Sequence, residues 1–175
     1  TSDKGSITGF YTVLVDGDDM DEPISDAVRG ILDGHIILSR KLAQKYHYPA
    51  IDVLASISRL ANRVSGPVSK KAAGYVRRMM AVYDESEDMI NVGAYQKGTN
   101  PAIDEAVAHH DRIEEFLNQE VADPAPINST IKSLGAVAEM EIPETEAALT
   151  GPGALPKFAQ ASESAGKYED SMWQE

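Results

Sequence analysis

The 175-residue chain contains no cysteine, a single tryptophan and three phenylalanines. Without cysteine it forms neither disulfide bonds nor thiolate metal sites. No apolar run in the sequence approaches the ~20 residues that a membrane-spanning helix needs. The N-terminal residues also lack the basic and apolar pattern of a targeting signal. We therefore expect a cytosolic protein, or a piece of one.

Positive charge is scarce, since 16 Lys and Arg face 28 Asp and Glu, for a net charge of −12 and a pI near 4.7. Nucleic acid and anionic membranes bind basic surfaces, so nonspecific binding of this acidic chain to either is not expected. A single well-placed arginine still permits the binding of one nucleotide. The length fits one medium domain or two small units that share a core.

The phosphate-binding sequence GxxxxGK[ST] does not occur in the chain. Its nearest approximations, at 66–70 and 165–168, have neither the glycine spacing nor the Ser or Thr that holds magnesium. We expect that this chain alone does not hold a triphosphate in the usual way.

The first third of the sequence has the texture of a mixed α/β structure. Residues 6–15 are rich in β-branched and aromatic side chains, which predicts a largely buried strand. A polar loop and a short amphipathic helix over 23–32 follow. We then predict a second buried strand over 35–38, a helix over 39–46, and an extended or irregular segment over 51–57.

From Pro67 onward apolar residues recur with helical spacing, and Asn100 followed by Pro101 predicts the start of a further helix. A basic stripe lies on the opposite side of the first of these helices; it comprises Lys70, Lys71, Arg77 and Arg78. This basic stripe either docks an acidic partner or is a solvated helix face.

Proline and glycine become frequent after Asp123, and weak apolar spacing allows one short helix over about 131–140. The chain is thus predicted to be α/β and mainly helical, in three parts. These are an α/β part over 1–64, a helical domain over 65–122, and an acidic, poorly ordered extension over 123–175.

Two residues are candidates for chemistry. Arg59 ends the apolar 51–58 stretch, where it is either an arginine finger for a phosphoryl group or a strand-end arginine paired with a carboxylate such as Asp52. Tyr48 precedes Pro49 and is either a ring that stacks on adenine or a half-buried core tyrosine. No metal site is predicted, because the acidic 16–22 loop lacks calcium-loop spacing.

Long runs of this sequence resemble the export ATPases of bacterial flagella and of type III secretion, which are relatives of the rotary ATP synthase β subunit. The similarity covers about residues 4–119 and is strongest from 48 to 59, which reads Tyr-Pro-Ala-Ile-Asp-Val-Leu-Ala-Ser-Ile-Ser-Arg. The other matching stretches are 5–8, 10–14, 17–20, 22–24, 29–36, 38–40, 92–95 and 97–98.

The resemblance implies the end of a RecA-like nucleotide-binding domain followed by a C-terminal helical domain and a flexible tail. It implies an ATPase that works with ATP and Mg²⁺ as a homo-hexamer. It also implies a central stalk-like coiled coil, peripheral stator proteins, and export substrates and their chaperones as partners. Nucleic acid is not among them. The assembly would lie in the cytoplasm, peripheral to the export gate of the inner membrane.

For single residues, the resemblance implies that Arg59 is a finger that reaches ATP in the neighbouring subunit, and that Tyr48 stacks on adenine. The phosphate loop and the magnesium ligands would lie upstream, so this piece alone would be inactive. Two alternatives stay open. One is a non-catalytic module that binds ring, stalk or chaperone partners. The other is a subunit of an ion-pumping rotary ATPase.

Overall fold

The computed structural model describes residues 9–15 and 23–147, which belong to two compact units. The described part of the first unit contains the helix α1 (Pro23–Ile31), which confirms the helix predicted there. Residues 9–15 form no strand, and the side chains of Phe10 and Leu14 are 94% and 93% exposed. The buried strand predicted over 6–15 is therefore wrong for the residues described. The acidic 16–22 loop lies outside them.

The second unit begins with a two-stranded antiparallel ribbon of β1 (Gly34–Leu38) and β2 (Ile51–Ser58), joined through the short helix α2 (Arg40–Gln44). The strand predicted over 35–38 is present, and the segment predicted as extended or irregular over 51–57 is a strand, but the burial expected for the 35–38 strand is wrong. Ile36 is 69% exposed and Leu38 is 71% exposed. Gly34 is required at its position, because a Cβ there would lie 2.6 Å from the carbonyl oxygen of Ile57.

The ribbon is irregular, because eight residues of β2 lie opposite only five of β1. The ends are paired in register, and the extra residues bulge out between Asp52 and Ile57. Two side chains stabilise this bulge. Ser56 Oγ donates to the carbonyl of Asp52 at 2.5 Å and accepts from the N–H of Ile37 at 3.0 Å. The carboxylate of Asp52 accepts from the N–H of Ala55 at 2.8 Å.

The helical part of the second unit is built on a long hairpin. After the short α3 (Ala61–Val64), α4 (Pro67–Asn91) and α5 (Pro101–Leu117) pack against each other and enclose most of the core. Asn100 caps α5 as predicted, since its side chain accepts from the N–H of Ala102 at 3.0 Å. The buried core residues of α4 and α5 are Ala72, Val76, Met79, Ala106 and Ile113.

Two further helices complete this core, namely α6 (Ile127–Val137) and α7 (Glu144–Ala147). Val137 and Ala138 are buried against the α4–α5 hairpin. Arg112 of α5 holds α6 in place by donating to the carbonyl of Ala136 and to the carboxylate of Glu139, both at 2.7 Å. The expected short helix is thus present. The extension over 123–175 was predicted to be poorly ordered. Among its described residues, 127–147 instead contain two helices, because apolar residues spaced along this segment pack on α4 and α5.

Glu146 of α7 caps the N-terminus of α4, whose own N-cap residue is Gly66 and has no side chain to do so. Its carboxylate accepts from the N–H and the hydroxyl of Ser69, at 2.8 and 2.7 Å, and from the N–H of Val68 at 3.2 Å. Burial alone would raise the pKa of Glu146, but these hydrogen bonds outweigh it and lower the pKa. A Cβ at position 66 would displace the Glu146 side chain from its present position.

The Glu146 cap predicts that Glu146→Gln lowers the free energy of unfolding by about 1 kcal/mol, the usual worth of a helix cap. The cap is complete above the unfolded-chain pKa near 4.5. It is lost as the pH falls through the lower folded value. Urea unfolding at pH 7 and pH 3, followed by circular dichroism, measures both effects. Glu144→Gln is the matched control, because Glu144 is exposed and pairs only with Lys132 at 2.6 Å. Equal effects of the two substitutions would contradict the assignment.

Candidate functional site

Tyr48 lies in the 45–50 loop between α2 and β2, and its backbone is fastened to the end of α5. Its N–H donates to the side-chain oxygen of Asn118 at 2.9 Å. Its carbonyl accepts from the N–H of Gln119 at 2.7 Å. The Tyr48–Pro49 peptide bond is cis. The end of α5 therefore fixes where the Tyr48 ring emerges.

The residue before Tyr48 strengthens this attachment. His47 is only 5% exposed, and its Nδ1 lies 3.0 Å from a carboxylate oxygen of Glu114 on α5. Beside it, Lys45 donates to Glu87 of α4 at 3.0 Å, and this hydrogen bond raises the pKa of Lys45. The 45–50 loop is thus tied to both helices of the hairpin.

The Tyr48 ring itself is 48% exposed. The ring of Tyr46 meets it edge to face, with centroids 6.5 Å apart and planes at 82°. A half-exposed aromatic ring on a fixed backbone offers a flat surface of the kind on which a nucleobase stacks. The observed exposure is compatible with both interpretations of Tyr48, as a ring that stacks on adenine and as a half-buried tyrosine.

Arg59 is the first residue after β2 and is exposed. It lies beyond the opposite end of the ribbon from Tyr48. The paired length of the ribbon is set by the five residues of β1, roughly 13 Å at ~3.3 Å per residue. The structure therefore does not bring the two predicted residues together into one cluster. Each stands at its own end of the ribbon.

The basic stripe divides into two kinds of residue. Arg78 lies 5.5 Å from the ring of Tyr75 and 3.9 Å from a carboxylate oxygen of Glu105. Arg77, in contrast, donates to the backbone carbonyls of Val53 at 2.7 Å and Leu54 at 3.1 Å. Arg77 is exposed, as expected for a solvated helix face, but its guanidinium is bonded to backbone of its own chain. Nothing in the sequence marks this contact, because its acceptors are backbone atoms.

Aromatic pairs hold the two long helices together. Tyr83 of α4 stacks on His110 of α5, with centroids 3.6 Å apart and planes 4° from parallel. Tyr75 meets His109 edge on at 5.4 Å and donates to Glu105 at 2.9 Å. Burial, and then this hydrogen bond, raise the pKa of Tyr75 to about 12. These rings therefore serve packing between the helices.

Comparison with known proteins places two consecutive regions of the chain in one class of protein. Residues 1–58 match the nucleotide-binding domain of the ATP synthase alpha/beta family, and residues 66–136 match the T3SS EscN ATPase C-terminal domain. The chain thus joins the end of a nucleotide-binding domain to the helical domain of an ATPase of this class. It belongs to the flagellar and type III secretion export ATPase family, of which it is a C-terminal part.

Two relatives carry this assignment, one of them through two solved structures. The flagellum-specific ATP synthase of Treponema pallidum is 56% identical over 138 residues, which are 79% of this chain and 31% of that protein. The assembled ATPase EscN of the enteropathogenic E. coli type III secretion system has a TM-score of 0.74 at 40% identity, over 77% of this chain and 32% of that one. EscN in complex with its central stalk EscO has a TM-score of 0.71 at 39% identity, over 79% and 32% of the two chains.

The chain spans about a third of the length of the relatives that it matches. Both predicted site residues lie close to the boundary between the two matched regions, with Tyr48 inside the first and Arg59 one residue beyond its end. Within residues 9–15 and 23–147, no helix is long and apolar enough to cross a membrane.

The attachment of the 45–50 loop predicts that Glu114→Ala loosens Tyr48. Removing the carboxylate leaves the buried His47 nitrogen without its partner, which costs about 1–3 kcal/mol. We expect the backbone amides of Tyr48 and Gln119 to exchange hydrogen faster, as measured by NMR or mass spectrometry. Glu115→Ala is the control, because Glu115 is the exposed neighbour on the same helix. Unchanged exchange in Glu114→Ala would show that the contact between His47 and Glu114 does not hold the loop.

Proposed function

We propose that this chain is the C-terminal part of an ATP-hydrolysing subunit of a hexameric export ATPase, and that Arg59 acts on the ATP of the neighbouring subunit. The observation that carries the proposal is the position of Arg59, exposed at the end of β2 and at the opposite end of the ribbon from Tyr48. Two contact points that face different ends suit two different nucleotides. The Tyr48 ring would then serve the subunit's own site.

In this proposal the guanidinium of Arg59 stabilises the negative charge that develops on the transferred phosphoryl group. Such a finger is worth about 10³-fold or more in turnover. Arginine suits this role, because it stays charged and presents planar donors that match phosphate oxygens. The Tyr48 ring, held by Asn118 and Gln119, orients the adenine.

The residues described fit part of a nucleotide site. An exposed ring and an exposed guanidinium match a base and a phosphate. Within residues 9–15 and 23–147, no three His, Asp or Glu side chains converge as a metal site. Because the chain spans about a third of its relatives' length and has no GxxxxGK[ST] sequence, we assign the Mg²⁺ ligands and the phosphate loop to the rest of the complete protein. On its own the segment would not hydrolyse ATP.

The tip of the α4–α5 hairpin is the surface that we assign to a central stalk. Val92 is 77% exposed and Met89 is 47% exposed where α4 ends. Gly93 and Gly98, with φ of 69° and 94°, turn the chain into α5. EscN, whose structure is known in complex with its central stalk EscO, is similar to 79% of this chain. We place the assembled protein in the cytoplasm, on the export apparatus of the membrane.

The finger assignment predicts that Arg59→Ala, in a full-length subunit that carries this sequence, lowers kcat by about 10³-fold. Nucleotide affinity changes little, because the finger acts on a neighbour's transition state. Phosphate release and binding of a fluorescent ATP analogue measure the two quantities. Arg63→Ala is the control, since Arg63 is exposed on α3 one turn later. Full turnover by Arg59→Ala would overturn the proposal that Arg59 acts on the ATP of the neighbouring subunit.

The stacking assignment predicts that Tyr48→Ala raises KM for ATP by roughly tenfold or more, since a base–aromatic contact is worth ~1–3 kcal/mol. Tyr48→Phe keeps the ring and is expected to behave like the parent protein. Steady-state kinetics over a range of ATP concentrations gives both values. Tyr46→Phe controls for changes in the neighbouring ring. A normal KM in Tyr48→Ala would remove the tyrosine from the nucleotide site.

A further inference from the structure

The bulge in β2 leaves backbone groups that β1 does not pair. Residues 53–56 lie between the paired positions Asp52 and Ile57, and only Ile36 of β1 stands opposite them. A carbonyl that leaves a ladder needs another donor, from a side chain or from water. The carboxylate of Asp52 accepts from the N–H of Ala55 within this segment, and Ser56 Oγ accepts from the N–H of Ile37 on β1. The carbonyls of the segment take their donor from elsewhere.

That donor is the guanidinium of Arg77, which comes from the α4 helix. Nη1 donates to the carbonyl of Val53 at 2.7 Å and lies 3.5 Å from the carbonyl of Ser56. Nη2 donates to the carbonyl of Leu54 at 3.1 Å. A planar guanidinium has several N–H donors in a fixed arrangement and can bond neighbouring carbonyls at the same time. A lysine ammonium is a point charge without this arrangement of donors.

The bulge and Arg59 are close along the chain, because Ser56 precedes Arg59 by only three residues. The residues between them, Ile57 and Ser58, are held in register with β1. On the other side, Arg77 stands near the middle of a 25-residue helix, roughly 37 Å long at 1.5 Å per residue. The guanidinium therefore connects the long helix α4 to the bulge of the strand whose end presents Arg59.

We propose that Arg77 is a positioning residue for Arg59. By bonding the carbonyls of Val53 and Leu54, it fixes the bulge of β2 against the helical domain and so sets where the strand that follows presents the Arg59 guanidinium. This role rests on the proposed function of Arg59. Arg77 touches backbone of its own subunit and takes no direct part in the reaction.

The first test measures the bulge directly and does not depend on activity. In the full-length subunit, Arg77→Ala is expected to increase hydrogen exchange over residues 53–59. Arg78→Ala, the adjacent arginine whose contacts are Tyr75 and Glu105, leaves that exchange unchanged. Equal protection in the two variants would overturn the proposal, because the bulge would then be held without Arg77.

The second test measures turnover. Arg77→Ala is expected to lower kcat by about 10–100-fold, in line with the cost of a misplaced catalytic group, while KM for ATP stays within about twofold. Arg77→Lys keeps the charge but not the planar fork, so its kcat is expected to lie between those of Arg77→Ala and the parent. If Arg77→Ala does not assemble, Arg77→Lys against Arg78→Lys gives the same comparison. A normal kcat in Arg77→Lys together with unchanged exchange over 53–59 would overturn the proposal.

A double variant separates this inference from the function on which it rests. If Arg77 acts through Arg59, adding Arg77→Ala to Arg59→Ala causes no further loss of single-turnover rate. A further loss as large as in the parent background would show that Arg77 acts elsewhere, while the finger assignment would stand. Full turnover by Arg59→Ala alone would instead remove the proposed function itself.

Discussion

The hydrogen bonds between the helical hairpin and the β1–β2 ribbon are the constraint on which the rest of the second unit depends. A two-stranded ribbon with exposed apolar faces is at best marginally stable by itself. Here α4 reaches it through Arg77, at the carbonyls of Val53 and Leu54. The α5 helix reaches the preceding loop through Glu114, which holds the buried His47. Both candidate site residues are therefore presented by backbone that the helical domain fixes.

The helical domain is in turn completed by residues far along the chain. Glu146 caps α4, and Val137 and Ala138 fill the core between α4 and α5. Since α4 carries Arg77, the order of this helix extends to the end of β2. A displacement of the hairpin would therefore move β2 as well as the tip of the hairpin.

The parts of the fold that were predictable from sequence are those with local causes. Helical spacing of apolar residues indicates α4, and Asn100 with Pro101 marks the start of α5. The segment that ends at Ser58 was predicted only as extended or irregular, and it is a strand because it pairs with β1. The roles of Arg77 and Glu146 were not predictable, because both bond backbone atoms distant in sequence. The prediction of a strand at 9–15 was wrong for a related reason. The composition of this segment suits a strand, but a strand needs a neighbour to pair with. Among the described residues, no strand pairs with this segment.

The central claim is that one chain presents Arg59 to a nucleotide held by another. A cryo-electron microscopy structure of the full-length hexamer with a non-hydrolysable ATP analogue would measure this most directly. The account predicts that the Arg59 guanidinium lies within hydrogen-bonding distance of a phosphate oxygen bound to the adjacent subunit, with Tyr48 against the adenine of its own. A side chain turned into the interior of its own subunit, remote from every intersubunit cleft, would contradict it.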